Sequence, residues 1–543
     1  MAKLLRSKRN YRNRWFEARD RLRQDLRLAR ALPAYLSQRV TVEMAEEEIK
    51  KALETRGERF LELVRSQVYA RPDSPYRKLL EIAGCEFADL QAHVRRDGLD
   101  KTLERLAAQG VFLTSDEFKG KKEVVRGRQS FRVSPDDFQR QDLPPGIVTQ
   151  SSGTSNRPLR SLRPLDWHAI GTSGMAVYFS AHNLFSYSHA NYDSILPGAA
   201  VNSLLHQAKL GIRTDRWFAR RMFLHSRLGA AHYYLLTYLI VLMGKWYGPG
   251  FPRPEFLDFR DLHRIVLWIA EKRREGKLCC VNAAASNAVR IAQAAWSRGI
   301  SLEGTKFRVH GEPVTEAKRA AIERVGASTI CRYNGGMSLG GGYGCADPLY
   351  TDEVHASEYS LALIPRPEPV NRDVPPIRPL LFTTLYASAP RLFLNVENGD
   401  YATLERRHCG CALERAGLTL HLHHIRSYEK FTSEGKNYFY GDLYDFFEKT
   451  LPVEFGGGPG DYQLVEEEDE RGQTRLTLRV HPDVPIQNES GLLGRLREEL
   501  AKGSRGNEFQ AKVWQDAGTF RIRREVPHSS PRGKILPLHI ART

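Results

Sequence analysis

Residues 149–160, Thr-Gln-Ser-Ser-Gly-Thr-Ser-Asn-Arg-Pro-Leu-Arg, hold the most suggestive chemistry in the chain. Four hydroxyls, on Ser151, Ser152, Thr154 and Ser155, surround Gly153, whose missing side chain lets the backbone come close to an anion. A loop of this kind presents N–H and hydroxyl donors to phosphate oxygens; the alternative is a polar surface turn. Four further segments lie downstream, each weak alone. His310-Gly311-Glu312-Pro313 ends an apolar strand just before a helix, where ligand sites gather in α/β sheets. Cys331–Gly344, CRYNGGMSLGGGYG, runs from a strand into a glycine-rich loop and offers Tyr333 as a flat surface for a base. Asn398-Gly399-Asp400 comes after the apolar RLFLNV, placing a carboxylate at a strand end where it can accept ribose hydroxyls. Pro531-Arg532-Gly533-Lys534-Ile535 carries a lysine on a loop near the C-terminus, whose other reading is a surface lysine in a tail.

Cys345, His355, Cys409 and Cys411 form a separate group. A Cys-x-Cys pair supplies two thiolates on a tight turn, and three cysteines with one histidine make an ordinary structural zinc set. His408 competes as a ligand, and buried thiols without metal are the alternative. Cys85, Cys279 and Cys280 read as core residues.

These groups need a scaffold, and the chain is long enough to build one. At 543 residues two or more domains are expected, and 41% hydrophobic with 27% charged residues is a globular composition. No apolar leader opens the sequence, and seven cysteines with no sign of secretion argue for a reducing cytoplasm. The most apolar run, 228–244, is short for a bilayer span and reads as a buried helix, so no transmembrane segment is expected. The formal net charge is +17, and residues 1–30 carry eleven Lys and Arg, from Lys3 to Arg30, against Glu17, Asp20 and Asp25. With Leu22, Leu26 and Leu28 interleaved, this segment reads as a basic amphipathic helix, either a solvated face or a surface for nucleic acid, anionic lipid or an acidic protein partner. No nucleic-acid module accompanies it, so no specific nucleic-acid partner is expected.

Residues 1–135 read as mostly helical and packed on the main domain. From 136 to about 427, short apolar runs (TKFRVHG, ASTICRY, EYSLALI, RPLLFTTLY, RLFLNV) alternate with helical stretches such as 317–325, which implies an α/β domain around a mixed or parallel sheet. Residues 428–543 change character: a glycine-rich stretch, a hairpin turning at DERGQ, a helix over 492–502 and a strand from KVWQDAGTFRIRRE make a small α+β unit. The linker falls near 426–430.

The order of the motifs resembles the adenylate-forming superfamily of acyl-CoA synthetases, adenylation domains and firefly-type luciferases. That family's phosphate loop, Ser-Gly-Thr-Thr-Gly-x-Pro-Lys, is matched by Ser152-Gly153-Thr154-Ser155-Asn156-Arg157-Pro158-Leu159. Its Gly-Glu-Pro adenine segment is matched by Gly311-Glu312-Pro313, the aromatic start of its Tyr-Gly-x-Thr/Ser-Glu motif by Tyr333, and its ribose Gly-Asp by Gly399-Asp400. Its hinge motif looks like Arg426-Ser427-Tyr428-Glu429 followed by Gly435-Lys436-Asn437, and its C-terminal Gly-Lys like Gly533-Lys534. Cys409-Gly410-Cys411 and the Gly-Lys-Asn-Tyr-Phe stretch look closest to the phenylacetate–CoA ligase branch, which includes the fatty acyl-protein synthetase of bacterial luminescence; some relatives there are expected to carry zinc at similar positions.

The resemblance implies a large multi-layer α/β domain of the adenylate-forming type with a helical N-terminal extension, and a small mobile C-terminal α+β domain. It implies that Ser151 to Ser155 and Arg160 hold phosphates, that Gly311, Glu312, Pro313, Tyr333 and Asn334 hold adenine, and that Asp400, Arg426 and Asn437 complete the nucleotide site. Lys534 would be catalytic, bridging carboxylate and phosphate until rotation near Glu429 or Lys430 withdraws it. ATP, magnesium and a carboxylic acid are implied, with coenzyme A, an acyl-carrier protein or another acceptor protein taking the acyl group. The acyl pocket would lie between the phosphate loop and residue 310, touching His225, His232, Tyr233 and 282–287. The sequence departs from the family pattern at four positions. Asn156 replaces a glycine; Leu159 replaces a lysine whose charge Arg160 would supply; Met337 stands at the magnesium-holding glutamate, beside Asn334 at a usual glycine. A thioether is a poor ligand for a hard cation, so either Glu312 or the substrate phosphates hold the metal, or the chain is an impaired relative that binds nucleotide or acyl groups as a scaffold. Neither the identity of the acid nor the oligomeric state is legible in these residues.

Overall fold

The computed structural model of the protein describes residues 22–139, 144–150, 160–220, 227–312, 314–335, 339–369, 377–427, 430–433, 436–439, 443, 446–458, 461–502, 505–528 and 538–540. Twelve strands form one mixed sheet. Six are parallel: β5 (Ser188–Tyr192), β6 (Thr214–Arg220), β7 (Pro254–Leu257), β8 (Cys279–Ala284), β9 (Lys306–His310) and β10 (Ser328–Tyr333). The other six are antiparallel to their neighbours: β11 (Gly342–Gly344), β12 (Val354–Ala356), β13 (Leu361–Pro365), β14 (Pro379–Thr384), β15 (Val396–Arg406) and β16 (Leu420–Ser427). The order across the sheet is 13-14-15-16-12-11-10-9-8-5-6-7.

The parallel half is covered on both faces, as its sequence requires: every residue of CCVNAA in β8 is buried. On one face Val281, Ala283, Phe307 and Val309 meet the helices His263–Arg274 and Ala285–Trp296. On the other, Cys280 and Ile330 meet helix Leu165–Ala181, which packs in turn on helix Val42–Glu54 through Ala45, Ile49 and Ala52. Helix Ala200–Lys209 shares that second face, closing a core with Trp217 and Ala219 of β6. Three short hairpins lie outside the main sheet: β1 (Val124–Arg126) with β2 (Gln129–Phe131), β3 (Gly146–Gln150) with β4 (Arg160–Pro164), and β17 (Lys430–Ser433) with β18 (Lys436–Phe439). The last part of the chain has its own four-stranded sheet, with β19 (Tyr462–Glu468) and β20 (Thr474–Val480) as a hairpin, β21 (Phe520–Arg524) beside β20 and β22 (Leu538–Ile540) beside β19. Its core is separate, built from residues such as Leu464, Leu478, Leu496 and Trp514.

Three expectations change. The RLFLNV run is not a strand: β15 begins only at Val396, so Asp400 lies inside a strand, opposite Ser427. Asn395 explains this, because it turns the chain at φ 53° and donates through its side chain to the carbonyls of Leu103 and Val111. KVWQD belongs to helix Arg505–Asp516, leaving only Phe520–Arg524 extended. The apolar run 228–244 forms helix Arg227–Tyr247, and it is half-buried. Leu236, Ile240 and Val241 face the core, whereas Leu235, Tyr238, Leu242 and Trp246 are exposed. No described helix is long and apolar enough to cross a membrane.

One glycine shows how tightly the second face is packed. A Cβ on Gly174 would lie 2.4 Å from Cε2 of Tyr343, and Tyr343 is fixed there because its hydroxyl donates to the Gly171 carbonyl at 3.0 Å and meets the Tyr359 hydroxyl at 3.1 Å. A helical Gly→Ala change gains up to about 1 kcal/mol of helix propensity, but overpacking costs roughly 1–3 kcal/mol. Gly174→Ala is therefore expected to lower stability; an unchanged or raised urea midpoint would show that Tyr343 has room to move.

Candidate functional site

In the parallel half the chain runs outward from β5 to β6 and β7, then returns and runs the other way from β8 to β9 and β10. The reversal between β5 and β8 opens a crevice at the carboxyl ends of these strands, the usual ligand position in open α/β sheets. Asp193, just past β5, reaches it, as do Asn282 of β8 and His310 at the end of β9. Nε2 of His310 is 3.0 Å from Oδ2 of Asp193, and Nδ2 of Asn282 donates to the same oxygen at 3.1 Å. Beneath them Arg308 is fully buried. Its Nε donates to Oδ1 of Asn282 at 3.1 Å and an Nη to Oγ of Ser203 at 2.6 Å, while its guanidinium lies 5.0 Å from the Phe179 ring centre. Burial pulls its pKa down from 12.5, yet a guanidinium keeps its charge at neutral pH. The register pairs Asn191 with Asn282, Asn282 with Arg308, and His310 with Arg332, so these polar groups share one sheet face.

A second group sits at β10 and β15. The Tyr333 hydroxyl donates to Oδ2 of Asp400 at 2.9 Å, and Nδ2 of Asn398 reaches the Tyr333 hydroxyl at 3.0 Å and the Gly335 carbonyl at 2.9 Å. Ser427 donates to the other Asp400 oxygen at 2.9 Å. Burial, then the charge of Asp400, raises the Tyr333 phenol well above 10.0, so it stays a donor. The loop after Tyr333 folds back on it: a Cβ on Gly341 would lie 2.5 Å from Cδ1 of the ring. Asn334 is exposed, and its carbonyl accepts from Gly340.

The remaining candidates fall differently. Gly311 has φ 82°, a left-handed conformation that suits glycine. Glu312 is buried, accepts from Ser286, and lies 3.6 Å from Nζ of Lys318; that same nitrogen is 3.6 Å from Glu468 of β19. Thr315 donates to Glu468 as well, at 2.5 Å. Glu312 is thus committed to a buried ion network that ties β9 to the C-terminal sheet. Arg426 donates to Asp352 at 2.7 Å, and Asp352 also accepts from the backbone of His424 and Ile425. Arg160 opens β4, paired with Gln150, so the two strands bring the ends of the hydroxyl-rich loop together. Ser151, Ser152, Gly153, Thr154, Ser155, Pro313, Met337 and Lys534, with the side chains of Arg160 and Asn437, lie outside what the structure describes. His225 does too. His232 and Tyr233 lie in helix Arg227–Tyr247, where His232 is 3.6 Å from Asp25 and Tyr233 packs on the core that holds Ile195, Leu196 and Trp217.

Cys345, His355, Cys409 and Cys411 converge, with their four ligand atoms all within 4.8 Å of one another. Nε2 of His355 is 3.3 Å from Sγ of Cys411 and 3.6 Å from Sγ of Cys409, and its Nδ1 bonds the Leu418 carbonyl at 2.6 Å, which aims the ring. Gly410, at φ 74°, makes the turn that brings both thiols to one side. A hydrogen bond from Cys345 holds the Cys411 thiol well below its usual pKa and raises that of Cys345. His408 is not part of the cluster: it is 86% exposed and bonds Glu414 at 2.6 Å.

Asp193, Arg308, Arg332, Asn398 and Asp352 escape a reading by motif. Asp193 alone leaves a signal in the sequence, as a carboxylate directly after the short run Ser188–Tyr192.

No family model and no curated protein matches the chain. Among solved structures it is similar to an o-succinylbenzoate CoA synthetase from Bacillus subtilis bound to a product analogue, with 11% identity and a TM-score of 0.37 over 76% of this chain and 72% of that one. It is similar also to an amide bond synthetase from Marinactinospora thermotolerans, with 12% identity and a TM-score of 0.39 over 90% and 97%. A fatty acyl-adenylate ligase from L. pneumophila, in complex with acyl adenylate and pyrophosphate, gives 10% identity and 0.31 over 75% and 69%. Likeness at this level carries no argument about activity; the residues must.

Lys318 is the residue whose loss should be felt most. Its side chain is 4% exposed between two carboxylates, and removing one member of a buried ion network costs roughly 3–5 kcal/mol. Lys318→Met is expected to lose stability of that order in chemical denaturation, and a loss under about 1 kcal/mol would show the network to be solvated.

Proposed function

We propose that the chain activates a carboxylic acid with ATP. A carboxylate oxygen attacks the α-phosphorus, the bond to pyrophosphate breaks, and an acyl-adenylate forms. A nucleophile then attacks the acyl carbon and AMP leaves. The observation that carries the reading is the Tyr333–Asn398–Asp400–Ser427 group at the end of the parallel strands. It supplies a ring pressed by glycine backbone and a fixed carboxylate. A carboxylate has about four acceptor positions, so Asp400 can take ribose hydroxyls while keeping Ser427. In this reading Gly311, Glu312, Pro313 and Asn334 border the adenine, Arg426 and Asn437 close the ribose side, and Ser151 to Ser155 with Arg160 cradle phosphates. Lys534 bridges carboxylate and α-phosphate, spreading the charge that builds between them. Residues 428–543 form the unit that carries Lys534 in and out, admitting coenzyme A, a carrier-protein thiol or another acceptor.

Magnesium has no fitting protein ligand at Glu312, because that carboxylate already serves Ser286 and Lys318; no step is written through it. The same observation favours a second reading, in which nucleotide and acid bind without turnover and the chain acts as a scaffold.

The Cys345–His355–Cys409–Cys411 cluster fits Zn²⁺. Three sulfurs and one imidazole nitrogen make a closed four-ligand set with no position left for a substrate, the pattern of a structural site, and the His355–Leu418 bond is the outer-shell support such a ligand needs.

Pyrophosphate exchange against a panel of acids separates the two functional readings. Exchange with at least one acid is expected, falling about 10²–10³-fold in Lys534→Ala and with a KM for ATP raised about tenfold in Asp400→Asn, the cost of one charge-assisted bond. Nucleotide binding with no exchange for any acid would leave the scaffold reading. Elemental analysis is expected to give one zinc per chain, lost in the Cys409→Ser/Cys411→Ser variant together with several degrees of Tm; pure protein with well under one zinc would remove the metal.

A further inference from the structure

On the second face of the sheet, helices Leu165–Ala181 and Ala200–Lys209, β10 and the turn into β11 border a cavity of about 30 Å³. That is room for a water or for one small polar group such as a carboxylate, not for a whole organic molecule. Its lining is lopsided. Arg163, Arg332, His168 and His206 contribute to it, with Tyr343 and Ser357, and none of the described residues lining it is a carboxylate. The guanidiniums are near enough to repel: burial, then the charge of Arg332, brings Arg163 down to about 10. The two imidazoles lie with ring centres 3.8 Å apart, tilted by 31°, and burial together with the neighbouring cations lowers both well below 6.5, so they are neutral.

His168 shows what the cavity is prepared for. Its side chain is 1% exposed. The Tyr35 hydroxyl is 3.1 Å from Nδ1; with that hydroxyl donating, the ring proton lies on Nε2. This atom is buried, its ring belongs to a cavity wall, and it makes no hydrogen bond of normal geometry; the Asn202 side chain, whose Oδ1 is likewise unsatisfied, is the one neighbouring group that competes for its proton. A buried donor without an acceptor is costly, and so is the repulsion of like charges facing one small space. An anionic ligand group relieves both.

The cavity adjoins the proposed nucleotide site. Arg332 of β10 is in register with His310, which touches Asp193 at the strand ends, and shares its sheet face, the one opposite to that of Tyr333. A molecule held by Arg332 therefore lies along the same edge as the reacting groups.

We propose that the acid bound here is a dicarboxylate, with one carboxylate at the strand ends for reaction and the second held in the cavity by Arg163, Arg332 and Nε2–H of His168. This rests on the adenylation reading for which carboxylate reacts, but the binding half stands apart from it. Charge-assisted bonds to a buried carboxylate are stronger than neutral ones. Loss of one such pair is worth about tenfold in affinity.

Calorimetry on the full chain, with a non-hydrolysable ATP analogue present, compares succinate, glutarate, adipate and terephthalate with butyrate, valerate, hexanoate and benzoate. At least one dicarboxylate is expected to bind about tenfold or more tighter than its monocarboxylate partner. Arg332→Met is expected to abolish that preference without changing monocarboxylate affinity more than about twofold, and Arg332→Lys, which keeps the charge, to retain part of it. Circular dichroism confirms that each variant folds; Arg332→Gln replaces the methionine variant if it does not. Equal or tighter binding of the monocarboxylates overturns the proposal, as does an Arg332→Met variant that loses the ATP analogue and keeps the acid preference. Pyrophosphate exchange in the same samples keeps the two claims separate. Dicarboxylate preference without exchange removes the ligase reading and leaves the cavity assignment. Exchange led by a monocarboxylate does the reverse.

Discussion

The buried guanidinium of Arg308 is the constraint around which the site is arranged. A cation with 1% exposure in the middle of a parallel sheet is tolerated only where fixed dipoles receive it. Asn282 from β8 and Ser203 from helix Ala200–Lys209 are those dipoles, and Ser203 passes the bond on to Asn191 of β5. Three strands and one helix are thereby held in a single register at the point where strand order reverses. The Asp193–His310 pair above them inherits that geometry, because each of its members is one pleat beyond a residue of the network. The crevice is formed by topology, and its position to within a hydrogen-bond length is fixed by Arg308.

The two proposed ligand ends are built on different principles. Around Tyr333 and Asp400 the bonds are satisfied within the protein, so a nucleotide entering there exchanges partners with groups already in place. Around His168 the cavity lining brings two guanidiniums and, among the described residues, no carboxylate. One end is preorganised and balanced, the other preorganised and charged. Elsewhere Lys318 joins Glu312 to Glu468, so the buried electrostatics of the main domain extend into the C-terminal sheet.

The sequence revealed the elements better than their edges, and the ligand-facing residues better than the residues that hold them. The short runs TKFRVHG and ASTICRY, bounded by turn residues, hold β9 and β10 where the pattern puts them, whereas CCVNAA of β8 was legible only as core. RLFLNV misled because apolar content alone does not decide extension. Asn395 adopts a left-handed backbone and bonds a distant helix segment, a tertiary contact that a local pattern does not contain. The helix Arg227–Tyr247 was recognisable, but which of its faces meets the core depends on neighbours far away in sequence. Asp400 and Tyr333 were identifiable by motif, yet Asn398 and Ser427, which fix them, became visible only when β15 and β16 paired. Arg308 looks like an ordinary surface-type residue in KFRVH; its burial is a property of the sheet it joins.

The cysteine and histidine cluster has a further meaning for the chain as a polymer. The parallel half of the sheet is stitched by its own crossover helices, so neighbouring strands are brought together by short connections. The antiparallel half lacks that stitching around β11, β12 and the start of helix Ala412–Arg415. There Cys345 and Cys411 meet across about 65 residues of intervening chain. A bridge of that span removes conformations from the unfolded ensemble worth on the order of 4 kcal/mol by loop-closure scaling. Occupied by a metal, the cluster would act less on the native contacts than on the number of ways the chain has of being unfolded.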